Sequence, residues 1–597
     1  MQNNKIISNL LNERSNFIII GLTGRTGSGC TTAANFLKDI DSHIPEVDEV
    51  TFKDSERGSS EAFFNGLNKN RYELVRDYAV KNNKTPFKVI KISNLISAIL
   101  LNLSDDKLYD FVNNSFPDSK LENLEIKAII SKHNKILENL TQINNYVLKD
   151  ENTTSETTSH TLNKWYSVIE MFTVEFKEML NKLSPDGYIK IYQNAGDSIR
   201  RIGEISNDYN GQDFKPEGLY FLPRMINRII KLYRKIDKNT NQKISNNEDR
   251  HKTYIVIDTI RNPYEAKYFK DRYAAFYLVS INAPEFARKK YLQDKYQFTP
   301  KQVNEIDIRE SGKSPIKNKD KYQELVAPNV KRCIEISDIH IYNPRNEPQN
   351  HNVLKAQLIW YLSLMKHPGL ITPTPLERVM QLAYTAKMNS GCISRQVGAV
   401  VTDSDYSIKS VGWNDVAKGQ VPCNLRSLKN LLNFSNNTTY SEYERNNEDF
   451  RKQAQQQLEK INKPDNKLEN SGRSLAYCFK SIQNKVDGEK NQVHTRSLHA
   501  EENAFLQLAK YGGVGIEGCK LFTTASPCEL CAKKAYQLGI KEIVYIDPYP
   551  GIAIQHILQI GINPPKLTQF RGAVGKGYHQ LYEPLMPYKD ELDYLTE

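Results

Sequence analysis

The sequence predicts an α/β protein in two parts: a parallel sheet with flanking helices, then a smaller α/β part built on a mixed sheet. Three observations carry this. Residues 16–21, Asn-Phe-Ile-Ile-Ile-Gly, form a short apolar run ending in glycine, the pattern of a strand buried on both faces. Runs at 253–258 and 274–281 repeat it, and residues 90–185 between them read mainly as helices. Further on, 397–402, a turn at 403–405 and 408–413 read as a hairpin, with another strand at 521–524. A chain of 597 residues is too long for one ordinary core, so two or three domains are expected.

The first run leads into Gly24-Arg25-Thr26-Gly27-Ser28-Gly29-Cys30-Thr31 and a helical stretch at 33–37. Strand, glycine loop and helix is the setting of a phosphate-binding P-loop, whose backbone N–H groups and helix N-terminus hold phosphate oxygens. Gly24 to Thr31 is therefore the predicted nucleotide-binding segment. It departs from the pattern at Cys30, which stands where a lysine would contact the terminal phosphates. Nucleotide binding is expected here without phosphoryl transfer. The run at 253–258 ends in Asp258, where a P-loop fold keeps its magnesium-side carboxylate, so Mg2+ with a nucleotide belongs to the same expectation. On the loop, on Asp258-Thr-Ile-Arg261-Asn-Pro263 and on later arginines such as Arg288 and Arg309, this half resembles the P-loop nucleotide and nucleoside monophosphate kinases. Cys30 marks it as a binding or regulatory relative.

Three stretches of this half stay ambiguous. A Thr/Ser-rich loop is expected at 151–161. Tyr192, Arg200 and Arg201 bound a polar, basic cluster that reads either as a phosphate neighbour or as a helix start. Arg224, Arg228, Lys231, Lys235 and Lys238 oppose Met225, Ile226, Ile229, Ile230, Tyr233 and Ile236 on one amphipathic helix. Its basic side is either a solvated face or a contact to nucleotide or nucleic acid.

A Pro-rich junction at 367–375 places the domain boundary near 370, giving domains 1–370 and 371–597. A helix at 376–388 precedes the hairpin, and a polar insertion at 426–491 follows it, contributing little obvious core. Then come His499-Ala-Glu501 and Ser526-Pro527-Cys528-Glu-Leu-Cys531. One imidazole and two thiolates make three zinc ligands, and a catalytic zinc keeps its fourth position for water. Bound zinc brings that water's pKa down toward ~7, and Glu501 has the placement of a general acid/base. Ser526 and Glu529 have capping-box spacing with Pro527 at the first helical position, so a helix is predicted to start at Ser526. A structural zinc site is the competing interpretation, and it would normally add a fourth Cys or His.

With Ser394-Arg395-Gln-Val-Gly398-Ala-Val, Gly412-Trp413-Asn414-Asp, the His499 and Cys528 motifs, and Phe570-Arg-Gly-Ala-Val-Gly-Lys-Gly-Tyr578, residues 371–597 resemble the deoxycytidylate deaminases. Joined to a degenerate P-loop domain, the arrangement is similar to the bacterial anti-phage deoxycytidylate deaminases. That resemblance implies a cytidine-deaminase-like fold, zinc on His499, Cys528 and Cys531, proton shuttling by Glu501, and substrate contacts from Asn414 and Arg395. It further implies deamination of free dCTP and dCMP to deplete dCTP, a regulatory nucleotide, a small inhibitory non-coding RNA, and a homo-oligomer, a hexamer. A second zinc, with Cys392, Cys423 and His494 as candidate ligands, comes from the same source.

Composition limits the alternatives. A hydrophobic share of 39% and a net charge of +11 fit a protein that handles phosphate-bearing ligands without demanding nucleic acid. Eight cysteines in so long a chain do not form a disulfide framework, and no apolar run is long enough to span a membrane. A cytoplasmic protein without membrane partners is expected. Two rival functions remain: a housekeeping dCMP deaminase, and a deaminase that edits cytosine in RNA or DNA.

Overall fold

The computed structural model describes the chain apart from residues 1–9, 12–13, 41–42, 51–66, 83–84, 117–122, 151–157, 242–251, 313–321, 346–350, 434–436, 462–471, 513–514, 548–551 and 597. It is a mixed α/β protein of two units: residues 1–372 with 576–597, and residues 373–575. Most of the Thr/Ser-rich loop expected at 151–161 lies outside the described residues; a helix is already under way at Ser159.

In the first unit, five parallel strands, β1 (Phe17–Thr23), β2 (Lys88–Lys91), β3 (Thr253–Asp258), β4 (Phe276–Asn282) and β5 (Ile339–Tyr342), lie in the order β5-β4-β1-β3-β2. β1 is central, with Ile19 opposite Ile255 on one side and Phe276 on the other. Every residue of β3 and β4 is buried, as a parallel sheet covered on both faces requires. Later strands add on both sides of β1, and a sheet that winds in two directions opens a ligand crevice at the carboxyl ends of its strands. The glycine loop sits there, between β1 and helix α1 (Cys30–Lys38).

Two sequence ambiguities resolve in the helices. Residues 192–201 lie within α2 (Gly187–Ile202), not at a helix start. Arg200 is buried and pairs with Glu265 (2.7 Å), while Arg201 Nε donates to the Gln212 carbonyl (3.0 Å). On α3 (Phe221–Asn241), Arg224, Lys231, Lys235 and Lys238 are exposed, so most of the basic side is a solvated face. Arg228 is different. It is buried, and its guanidinium donates to the carbonyls of Val147 (2.9 and 2.6 Å) and Leu148 (3.3 Å) at the end of a neighbouring helix, where unpaired carbonyls need donors.

The second unit holds β6 (Gly398–Thr402), β7 (Ile408–Trp413), β8 (Lys520–Ala525), β9 (Glu542–Asp547) and β10 (Lys566–Gln569), in the order β10-β9-β8-β6-β7. β6 runs antiparallel to β7 and β8, and the remaining pairs are parallel. Alternation along β6 divides the core. Val400 packs with Val379 and Ala383 of α4 (Pro375–Ala386), while Ala399 and Val401 pack with Ala500 and Ala504 of α5 (Ala500–Tyr511) and Ala532 of α6 (Glu529–Gln537). Two motif glycines permit this closeness. A Cβ on Gly398 would stand 2.0 Å from the Ala383 carbonyl oxygen, and one on Gly412 would stand 2.3 Å from that of Ala500.

The expectation that 426–491 adds little core is corrected. Leu428, Leu431, Tyr440, Phe450, Ala454, Tyr477 and Ile482 form a small core of their own. Beside it Arg426 (0% exposed) pairs with Glu444 (2% exposed), and Tyr477 Oη donates to Glu444 Oε1 at 2.6 Å. Arg426→Met leaves that carboxylate buried without its cation, which costs about 3–5 kcal/mol. Hydrogen exchange should rise across the described parts of 426–486 and stay unchanged in β6, β8 and β9; unchanged exchange in the insertion would refute the role of the pair.

Candidate active site

Strand β8 and the starts of two helices assemble the site. His499 is the N-cap residue of α5, Cys528 is the N-cap residue of α6, and Cys531 lies in the first turn of α6. One ligand atom from each of the three lies within 4.8 Å of the others. His499 Nδ1 is 3.2 Å from Cys528 Sγ and 3.4 Å from Cys531 Sγ. The Cys531 thiol and His499 together hold the Cys528 thiol down at about 4, while the same contact with Cys528 raises Cys531. A thiolate, a second sulfur and an imidazole in this contact form an electron-rich donor set. It fits a zinc ion bound by three protein ligands.

The predicted helix start at Ser526 is corrected. Ser526 N donates to the Asp547 carbonyl at 2.8 Å, which keeps the chain extended through Pro527, so α6 begins only at Glu529. Glu529 accepts from Ile552 N (3.0 Å) rather than closing a capping box. Cys528 therefore sits at the helix mouth, where the dipole favours a thiolate.

Glu501 lies one residue into α5 and is 4% exposed. Burial raises its pKa above the usual carboxylate range, the direction a group must move to hold a proton near neutrality. Thr523 Oγ1 donates to Glu501 Oε1 at 3.3 Å and, more tightly, to the Ala525 carbonyl at 2.7 Å. Asn503 Nδ2 donates to the Trp413 carbonyl (2.9 Å) and ties α5 to the end of β7. Sequence reasoning missed both Thr523 and Asn503; neither belongs to a motif, and only their positions beside His499-Ala-Glu501 and on β8 point to them.

Asn414 and Arg395 are brought together. Asn414 Nδ2 donates to the Arg395 carbonyl (2.7 Å) and its Oδ1 accepts from Val397 N (2.6 Å), so its amide braces the segment before β6. Arg395 pairs with the buried Asp547 at 2.7 Å. Cys392, Cys423 and His494 form no metal-binding group among the described residues. His494 Nε2 instead faces Asp487 at 3.1 Å, so the second-zinc expectation finds no support in the geometry.

In the first unit, Gly24, Arg25, Thr26, Gly27, Gly29, Cys30 and Thr31 line a cavity of about 310 Å³. Ser28 is buried behind the loop, with its Oγ 3.8 Å from Cys30 Sγ. Burial, then Asp258, pushes the Cys30 thiol up to about 12, so it is neutral where a lysine would be charged. Thr31 Oγ1 donates to Asp258 Oδ2 at 3.1 Å. Arg288, one of the arginines on which the kinase resemblance rests, is buried against the Thr26 carbonyl (3.0 Å) and Asp307 (2.6 Å).

Fold and donor set define a zinc-binding deaminase region, and the comparisons agree. The family described as "Cytidine and deoxycytidylate deaminase zinc-binding region" matches residues 373–547. Over 178 residues the chain is 31% identical to the deoxycytidylate deaminase of Enterobacteria phage T2, covering 29% of this chain and 79% of that protein. Against the phage T4 enzyme it is 30% identical over 177 residues, 29% of this chain and 77% of that one. The chain belongs to the deoxycytidylate deaminase family. A dCMP deaminase structure from cyanophage S-TIM5 covers 34% of this chain and 100% of its own at 20% identity, but the TM-score of 0.19 is too low to bear on the fold. Among the described residues, no helix is long and apolar enough to cross a membrane.

If the three donors hold the metal, purified protein carries about one zinc per chain. His499→Ala, Cys528→Ala and Cys531→Ala should each bring that content close to zero by elemental analysis. Full zinc retention in any of them would remove that residue from the ligand set.

Proposed function

We propose that residues 373–575 hydrolytically deaminate the cytosine of free deoxycytidine nucleotides, dCTP as well as dCMP. As a member of its family the chain is a hydrolytic deaminase. The observation that carries the hydrolytic chemistry is the buried Glu501 beside the His499, Cys528 and Cys531 donors, and the free-nucleotide substrate is supported by the family's deoxycytidylate deaminases. Zinc bound there would supply an activated water. This chain's own residues do the rest. Glu501, with its raised pKa, takes a proton from the water and delivers one to the departing amine, and Thr523 holds Oε1 in place for both transfers. Arg395 faces the nucleotide phosphates, steadied by Asp547. Asn414 keeps one amide proton for the sugar or base while bracing 395–397.

Depletion of dCTP in anti-phage defence is supported by the pairing of such a centre with a glycine-loop domain, and a hexamer with a small inhibitory RNA follows from the same resemblance. In this proposal the first unit regulates and does not transfer phosphate. The neutral Cys30 leaves terminal phosphates without their usual cation, while Thr31 and Asp258 stand together where a magnesium ion would attach.

Glu501→Ala should keep its zinc and lose deamination by at least ~10²-fold, measured as ammonia release from dCMP and dCTP. Near-wild-type turnover would remove Glu501 from the mechanism. Conversion of cytosine only in single-stranded DNA or RNA would replace free nucleotides with polynucleotides as the substrate. Pure protein should release no phosphate from ATP or GTP; steady release lost on Thr31→Ala would show that the glycine loop is catalytic.

A further inference from the structure

The cavity over the glycine loop has the parts of a nucleotide site and one part that limits which nucleotide fits. Its volume of about 310 Å³ lies in the range of ligand pockets. The first bond of the α1 ladder is Ala33 N to Gly29 O (2.9 Å), so the N–H groups of Cys30, Thr31 and Thr32 precede it, and no side chain caps them. Gly29 has a φ of 116°, and a Cβ there would meet Asn343 Nδ2 at 2.4 Å, so the loop keeps this shape only with glycine.

Positive charge in the cavity is in excess. Arg25, Lys177 and Arg345 line it and make no ion pair among the described residues. Arg345 is held over the Tyr291 ring (4.0 Å) and on the Gly27 carbonyl (2.8 Å), while Lys177 lies over Tyr188 at 4.7 Å. Burial, then Lys295 and Lys91, lowers the pKa of Lys177, a strain that an anionic ligand would relieve. Among the described residues, Gln193 Nε2 is buried without an acceptor. Tyr188, Tyr192, Tyr296 and Phe298 add flat apolar walls.

A carboxylate behind the cavity wall already holds Thr26 of the loop. Glu310, 2% exposed, accepts from Thr26 N at 3.0 Å and from the Thr26 hydroxyl, and it pairs with Arg261. Ser28 N is also taken, by the Arg25 carbonyl (2.9 Å), while the amides at the helix start stay open to the inner phosphates, and Cys30 supplies no charge for an outer one.

We propose that this cavity binds a nucleoside mono- or diphosphate and that Glu310 discriminates against the triphosphate. The phosphates sit on the amides of Cys30, Thr31 and Thr32, Arg25 and Arg345 neutralise them, and the base enters between the tyrosines with Gln193 donating to it. A third phosphate would find the Thr26 amide and hydroxyl already held by the Glu310 carboxylate. This names the ligand behind the regulatory role proposed above and rests on that role for its consequence, but it is read by binding alone, so it survives or fails independently of deamination.

Calorimetric titration of the full chain with the mono-, di- and triphosphates of adenosine, guanosine, uridine and thymidine, with Mg2+, tests it; omitting cytidine nucleotides avoids substrates of the second unit. At least one mono- or diphosphate should bind about tenfold or more tightly than its own triphosphate. Lys177→Met and Arg345→Met should each weaken it by about tenfold or more, and Glu310→Gln should narrow the triphosphate gap. Should Arg345→Met fail to fold, Lys177→Met carries the test, since among the described residues Lys177 makes no hydrogen bond that holds the backbone. No binding across the series, a wild-type preference for triphosphates, or undiminished binding in the folded variants would overturn the proposal.

Discussion

The deaminase centre depends on how closely α5 can approach β7. With a hydrogen atom as its side chain, Gly412 lets the helix start settle on the strand, and any larger residue would strike the Ala500 carbonyl. That contact fixes His499 and Glu501 relative to β8, which carries Thr523 and leads to Cys528. Gly398 does the same on the other face for α4. Glycines inside a strand usually weaken it; here they set the depth at which the reactive side chains sit.

A common device recurs in both units. His499, Cys528 and Gly29 are all N-cap residues, so three helix starts are aimed at chemistry. Helix N-termini carry partial positive charge and unpaired amides, which suit thiolates in one place and phosphate oxygens in another. What differs is the supporting charge. The donor set brings its own negative sulfur, whereas the glycine loop, having exchanged lysine for the neutral Cys30, is surrounded by arginines from distant parts of the chain.

Much of this was legible in the sequence because it is local. Apolar runs gave β1, β3 and β4 within two residues, and the hairpin and β8 were equally clear. His499, Glu501, Cys528 and Cys531 announce themselves by spacing. What stayed hidden depends on partners far away in the chain. The wheel of α3 shows a row of cations but not the carbonyls of Val147 and Leu148 that bury Arg228. Glu310 meets Thr26 across 284 positions. The insertion looked coreless because its apolar residues are sparse along the chain and converge only beside the Arg426–Glu444 pair.

The chain segments that flank that insertion meet. Leu498 N donates to the Asp415 carbonyl at 2.8 Å, one bridge just before His499, and Asn424 N donates to the Gly391 carbonyl at 3.1 Å, so the insertion is tied to the rest of the unit close to its start and its return. Because the insertion carries a small core of its own, its length can change away from these bonds while the catalytic residues beyond Leu498 keep their places. Within this unit, chain length and catalytic geometry can evolve on separate accounts.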